Sequence, residues 1–291
     1  MKMDAAPQVT EVGPRDPGLQ SAFCDFVPQV FGRADFRRWC QWGEWTDDYR
    51  AFAVLEEGRV VANTAVMRMR LLVEGREVVA WQLGAVGCVP SHRGRGLSQV
   101  VMSAALDACG GAPMLLFANP RVLQYYPRFG FQPCKQTLFA AAYEAQPEGP
   151  PAPRPDLEDA AVRAGLSALS SEGLPVTERF GARGYSTAAS WHVANGFARP
   201  LLRLGDDAWI SAGVEGDTLY IDDIFARAPF DLRAWVPRLI DRPIRSVHFG
   251  FTPERWWPEA AEAGEDLEAY LFVRGLSLSH EPHGFPVLAR T

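Results

Sequence analysis

Two segments of the chain carry residues whose types and spacing suit chemistry. The first is Ala85-Val86-Gly87-Cys88-Val89-Pro90-Ser91-His92-Arg93-Gly94-Arg95-Gly96-Leu97-Ser98, which reads as a strand end, a glycine-bearing turn and a helix start. The first turn of a helix has N–H groups without intrahelical acceptors and the positive end of the macrodipole, so it suits a phosphate or pyrophosphate. Arg93 and Arg95 add guanidinium donors. No Gly-Lys-Ser/Thr follows, so this is not a P-loop, and it lacks the GxGxxG spacing of a dinucleotide fingerprint. Cys88 reads as a small buried hydrophobe and not as a nucleophile. The second segment, Asn119-Pro120-Arg121-Val122-Leu123-Gln124-Tyr125-Tyr126-Pro127-Arg128-Phe129-Gly130-Phe131, follows an apolar strand. It offers a carboxamide and two adjacent phenols.

Together the two segments resemble the GCN5-related N-acetyltransferase (GNAT) superfamily. The family's loop, Gln/Arg-x-x-Gly-x-Gly/Ala, corresponds to Arg93, Gly96 and, with a substitution, Ser98. Its downstream pattern corresponds to Asn119, Val122, Tyr125, Tyr126, Gly130 and Phe131. The resemblance implies acetyl-CoA or a related acyl-CoA as co-substrate. It places the pyrophosphate on Arg93, Gly94, Arg95, Gly96, Leu97 and Ser98, and the pantetheine arm along the strand through Val86, Cys88 and Val89. Asn119 stands where family members contact the cofactor, and Tyr126 where many place the general acid. It further implies direct attack by an acceptor amine, without an acyl-enzyme. A two-part chain of this kind is similar to the mycothiol synthase and Eis-like branches. A non-catalytic acyl-CoA-binding or interaction module is the rival reading.

The strand before the loop, Val78 to Val89, carries no Asp or Glu to deprotonate an acceptor. Water, Glu77, or an acid of the second half, Asp222 or Asp223, is left for that role. Trp39, Trp42 and Trp45 recur at spacing three. Trp39 and Trp42 are candidates for an acceptor-pocket wall, against the plainer reading of helix core.

These groups need a scaffold. Residues 8–12 read as a strand and 18–45 as helical. Residues 50–90 read as a three-stranded meander, broken at Glu57-Gly58 and Glu74-Gly75. Leu97, Val100, Val101, Ala104 and Ala108 place a helix over 97–109, stopped by Gly110-Gly111. A buried strand at 113–120, a brief helix through 124–126 and a strand near 136–143 complete the first half. The segment 144–156 packs five prolines into thirteen positions and reads as a semi-rigid linker. Beyond it come a helix at 157–171, three strands between 200 and 226, a helix at 231–240, and strands at 246–253 and 269–275. The expected fold is α+β: a catalytic GNAT-like mixed, mostly antiparallel sheet flanked by helices over 1–143, then a smaller domain over 157–291. That second domain is either a degenerate duplicate or an unrelated cap. The apolar end, residues 284–291, is expected to dock on the body.

Composition bounds the partners. The chain has 291 residues, 47% hydrophobic and 22% charged, with a net charge of −6. Residues 1–145 carry 15 basic and 14 acidic side chains, and the remainder 14 and 21. That balance disfavours nucleic acid, whose binding rests on basic groups; it reads first as a solvated acidic surface and, second to that, suits a cationic amine. No run is long enough to span a membrane, no secretory h-region opens the chain, and five cysteines lack metal-site spacing. The expectations are therefore a cytoplasmic protein without metal. The excess of arginine over lysine is read as a bacterial, GC-rich codon bias.

Overall fold

The computed structural model describes residues 7–291. The first strand, β1 (Val9–Val12), leads into α1 (Pro17–Phe31), which Asp16 caps by accepting the Leu19 N–H at 3.0 Å. A short α2 (Arg37–Gln41) follows. The helix expected over 18–45 is thus two helices, because Gly32 turns into the left-handed region (φ 64°) and ends the first. The meander is β2 (Tyr49–Glu56), β3 (Arg59–Val73) and β4 (Arg76–Cys88). Its two-residue turns, Glu57-Gly58 and Glu74-Gly75, have positive φ at both positions, as type I′ hairpins require. Next come α3 (Leu97–Ala108), β5 (Met114–Ala118), β6 (Gln132–Cys134) and β7 (Thr137–Ala145). Between β5 and β6 lie two 3-10 turns, Pro120–Val122 and Tyr126–Phe129, and not the expected helix. Each contains a proline, which gives no N–H to a longer ladder.

The second half runs α4 (Ala160–Glu172), β8 (Phe180–Arg183), α5 (Ser186–Ala194), β9 (Leu201–Arg203), β10 (Ala208–Glu215) and β11 (Thr218–Ala226). It ends with α6 (Leu232–Leu239), β12 (Ile244–Phe249), β13 (Ala261–Glu265) and β14 (Tyr270–Arg274).

The fold is α+β, with two mixed, mostly antiparallel sheets and helices packed on them. One sheet has eight strands, ordered β1-β2-β3-β4-β5-β14-β6 with β8 added to β3. The other has six, ordered β13-β7-β12-β11-β10-β9. Strands cross between the halves in both directions. β14 lies between β5 and β6, with Phe272 in register with Leu116 on one side and Pro133 on the other. β7, from the first half, is paired by β12 and β13. Sheet membership is therefore not divided at 144–156. The terminal segment docks, with Phe285, Leu288 and Ala289 fully buried. No helix among the described residues is long and apolar enough to cross a membrane.

Candidate active site

The site begins where two parallel strands separate. β4 pairs with β5 over Trp81–Leu83 and Met114–Leu116 only. Past Leu83, β4 carries a bulge: Ala65 faces Gly84 and Asn63 faces Gly87, so Ala85 and Val86 stand opposite Thr64 alone. Ala85 takes φ 47°, a strained value for a side-chain-bearing residue, and its carbonyl accepts from Asn63 Nδ2 at 2.9 Å. Two glycines make the close approaches here. A Cβ on Gly87 would lie 2.5 Å from Val30 Cγ1 of α1, and one on Gly84 would lie 2.8 Å from Thr291 Oγ1. The strand is thereby turned away from β5.

A cavity of about 270 Å³ fills the gap. Gly84, Ala85 and Val86 form one wall; Phe117, Asn119 and Val122 form the other. Tyr126 lines it as well and is otherwise buried, which pushes its hydroxyl up to about 12. That hydroxyl has no hydrogen-bond partner among the described residues. The neighbouring Tyr125 hydroxyl is committed, donating to Ser98 O at 2.9 Å and tying the start of α3 to the Tyr126 segment. Asn119 caps the first 3-10 turn, accepting from Arg121 N at 3.0 Å. One part of the wall is aromatic: Phe36, Trp39, Tyr49 and Trp191 cluster there, and Met67 also lines the cavity. Trp39 Nε1 donates to Thr187 O at 2.9 Å, which fastens this wall to α5.

The loop before α3 has the features of an anion cradle. Gly94 and Gly96 have φ 79° and 77°, and open space surrounds the Cβ position of each. Gly96 is the N-cap of α3 and supplies no side-chain cap. The N–H groups of residues 94–98 donate to no acceptor among the described residues. Leu97 and Val89 are buried anchors on either side, and Cys88 is buried with its thiol raised by desolvation. Both arginines already have partners. Arg93 Nε donates to Cys88 O at 3.2 Å, and Arg95 Nη2 donates to Glu56 Oε1 at 2.7 Å. Glu56 also meets His92 Nε2 at 3.0 Å, and these two contacts, the arginine first, hold its carboxyl below the usual range.

The sequence candidates therefore fall into separate places. Val86, Asn119, Tyr126 and Trp39 line the cavity, and Arg93 to Ser98 form the loop beside it. Trp42 does not line it; its indole N–H donates to Glu158 at 3.0 Å, and it stacks with Arg38 and Arg163. Asp222 and Asp223 are both buried on β11, away from the cavity wall. Asp222 accepts from Arg199 Nη1 at 2.5 Å and Arg199 N at 3.0 Å. Asp223 accepts the Tyr185 hydroxyl at 2.8 Å, and burial raises its carboxyl well above the usual range. Glu77 is exposed. Among the described residues, no Asp or Glu side chain lines the cavity.

Several wall residues lacked a sequence signal. Thr187 and Trp191 sit on α5, which no periodicity announced. Arg290 and Thr291 arrive from the far end of the chain. Gln82 holds them there: its Nε2 donates to Ala289 O at 2.8 Å, and its Oε1 accepts from Thr291 N at 2.7 Å. Arg290 is paired to Asp266 at 2.9 Å. Among the described residues, no group of three or more His, Cys, Asp or Glu could hold a metal ion.

Residues 19–134 match the acetyltransferase (GNAT) domain family. No curated protein matches the sequence. Among solved structures, Eis1 from Mycobacterium abscessus superposes with a TM-score of 0.57 at 15% identity, over 91% of this chain and 73% of that one. A probable N-acyltransferase from Enterococcus faecalis V583 gives 0.57 at 13% identity, over 93% and 73%. A GCN5-related N-acetyltransferase from Kribbella flavida gives 0.53 at 16% identity, over 92% and 72%. At these identities the likeness is one of fold.

Proposed function

We propose that this chain, whose residues 19–134 match the acetyltransferase (GNAT) domain family, is an N-acyltransferase. It moves an acetyl or other short acyl group from acyl-CoA to the amine of a small acceptor. The observation that carries this reading is the juxtaposition of three features. They are a loop of unpartnered N–H groups at a helix start, a gap between two parallel strands, and an unpartnered phenol inside that gap.

The residues present suit acyl-CoA. The N–H groups of residues 94–98 and the positive end of α3 would hold the pyrophosphate, and nothing crowds Gly94 or Gly96 against it. Arg95 would bring a guanidinium whose charge Glu56 already partly offsets. Main-chain groups of the bulged segment Gly84 to Val86 that β5 leaves unpaired would bond the amides of the pantetheine arm and lead the thioester towards Tyr126. Asn119 would contact the same arm.

The amine nitrogen attacks the thioester carbonyl carbon. The C–N bond forms, the C–S bond breaks, and sulfur leaves with the bonding pair. Tyr126 gives its phenolic proton to that sulfur and recovers one from the new amide nitrogen. The balance is thioester plus amine to amide plus thiol. A hydroxyl held near 12 is protonated at neutral pH and so ready to act as the acid. A free-base amine entering a cavity without Asp or Glu side chains brings its own nucleophilic lone pair, so the reaction needs no strand carboxylate.

The test compares the parent protein with Tyr126→Phe, using thiol release across amines, amino acids, peptides and aminoglycosides. The variant is expected to lose about 100-fold in kcat while CoA affinity by calorimetry stays within a factor of about two. Binding of CoA without thiol release from any amine would instead favour a non-catalytic binding module.

A further inference from the structure

The acceptor end of the cavity has a composition that selects its ligand. Phe36, Trp39, Tyr49 and Trp191 surround it with Met67 and Ala34. The rings are fixed by their own packing: Phe36 lies 5.4 Å from Trp39, 5.7 Å from Tyr49 and 5.5 Å from Trp191. Arg290 supplies the lone charged side chain on the wall among the described residues. It is spent on Asp266 and Phe285 O, and stacks 5.1 Å from the Phe117 ring. The acidic excess of the second half does not reach the wall. Glu44 stands on the α2 side but does not line the cavity, and burial keeps its carboxyl raised.

Resting on the acyl-transfer reading, we infer that the acceptor is a small primary amine on an apolar, aromatic-sized body, and not a polycation such as an aminoglycoside or a polyamine. Transferring an ammonium group into apolar surroundings without a counter-charge costs several kcal/mol. A polycation meets that cost at every nitrogen, and the wall offers no Asp or Glu side chain in return. A monoamine meets it once, and escapes it by leaving its proton in water, because desolvation favours the neutral base. The neutral base is also the nucleophile. The body of such an amine gains apolar burial against the rings, about 25 cal/mol for each Å² removed from water. Size agrees: about 270 Å³ lies just below the usual range of roughly 300–1,000 Å³ for ligand pockets, which leaves little room for an oligosaccharide.

The same wall could instead accommodate a longer acyl chain, and the experiment separates the two. Acetyl-CoA and octanoyl-CoA are each paired with 2-phenylethylamine, methylamine, spermidine and kanamycin, with thiol release as the readout. With acetyl-CoA, kcat/KM for 2-phenylethylamine should exceed that for every other amine by at least about tenfold, a difference of about 1.4 kcal/mol. A second arm uses Phe31→Glu, on the half-exposed rim of the cavity, where a new carboxylate should narrow the ratio to spermidine several-fold. A third arm titrates the amines onto the CoA-loaded parent protein by calorimetry. Equal or better turnover of the polycations overturns the inference. So does a gain from octanoyl-CoA with no preference for 2-phenylethylamine. Absence of thiol release with every amine removes the acyl-transfer reading, and calorimetry then still decides the ligand class: tighter spermidine than 2-phenylethylamine overturns it.

Discussion

Gln82 and Thr291 are 209 residues apart in sequence, and the Thr291 N–H donates to the Gln82 side-chain oxygen at 2.7 Å. The same fully buried amide donates to Ala289 O at 2.8 Å. One side chain of β4 thus ties down the last residues of the segment that lines the cavity. Replacing it with leucine keeps the volume and strands two main-chain groups inside the protein. Each such orphan costs roughly 1–3 kcal/mol. Gln82→Leu is expected to lower the melting temperature by several degrees and kcat/KM by about tenfold or more, with CoA affinity little changed. Unaltered melting and turnover would show that the terminal segment is held without the Gln82 amide, by contacts such as Arg290 with Asp266 and the burial of Phe285 and Leu288.

Gly96 tests the anion loop by backbone strain and not by bulk. Its Cβ position is open, so a side chain there meets nothing, but φ 77° is costly for any residue with a Cβ. A left-handed residue costs about 1–2 kcal/mol, more when β-branched. Gly96→Val is expected to relax the loop, misdirect the N–H groups of residues 96–98 and weaken CoA by about tenfold or more in calorimetry, with Gly96→Ala intermediate. Gly110→Ala, at a positive-φ glycine beyond the other end of α3, controls for stability alone. Equal CoA affinity in all three would remove the loop from the binding site.

The legible and illegible parts of the molecule divide by sequence distance. The meander, α3 and the loop at 93–98 could be read because their determinants are local: paired positive-φ turns, a 3.6-residue apolar period and clustered glycines. β14 could also be read as a strand, since Tyr-Leu-Phe-Val-Arg is short and apolar. Its place between β5 and β6 could not, because nothing in five residues specifies a partner about 150 residues upstream. β7 carries the reverse ambiguity. α5 was missed for a physical reason: nearly every side of it is covered, so Ser186, Ala188, Ala189 and Ser190 give no apolar stripe. The aromatic end of the cavity depends on that helix and on the terminal segment. The glycine loop and the strand beside it were therefore legible in sequence, and the aromatic part of the cavity wall was not. Asp222 and Asp223 looked available as adjacent strand acids, yet each is consumed by a neighbour, Arg199 and Tyr185, that only the fold supplies.

If Tyr126 is the acid of the proposed transfer, its hydroxyl sets the shape of the pH profile. Burial raises it to about 12, so its acid form persists well above neutrality. kcat/KM should climb with pH as more acceptor is present as free base, then level off. No decline assigned to Tyr126 should appear below about pH 11. The profile is measured with acetyl-CoA and one monoamine, for the parent and for Tyr126→Phe. A falling limb centred near neutrality that vanishes in the variant would mean that this phenol ionises far earlier and is not the acid.

Asp223 predicts a stability effect remote from the chemistry. Its Oδ1 accepts the Tyr185 hydroxyl and the Ile224 N–H, while its Oδ2 is buried without a partner. Burial, the dominant cause, raises its carboxyl well above the unfolded value, so the folded state binds a proton that the unfolded state releases. Stability therefore falls as pH rises above the ordinary carboxylate range, and it continues to fall until the folded carboxyl itself ionises. Asp223→Asn retains the acceptor for Tyr185 and removes the titration. At about pH 4, near the ordinary aspartate value, the variant and the parent should melt within about a degree of each other, since both carry a neutral side chain there. By about pH 8 the variant should melt higher, and the gap should widen steadily in between. Thermal denaturation across that range decides the matter: a parent curve that gains on the variant as pH rises would mean that Asp223 is ionised in the fold.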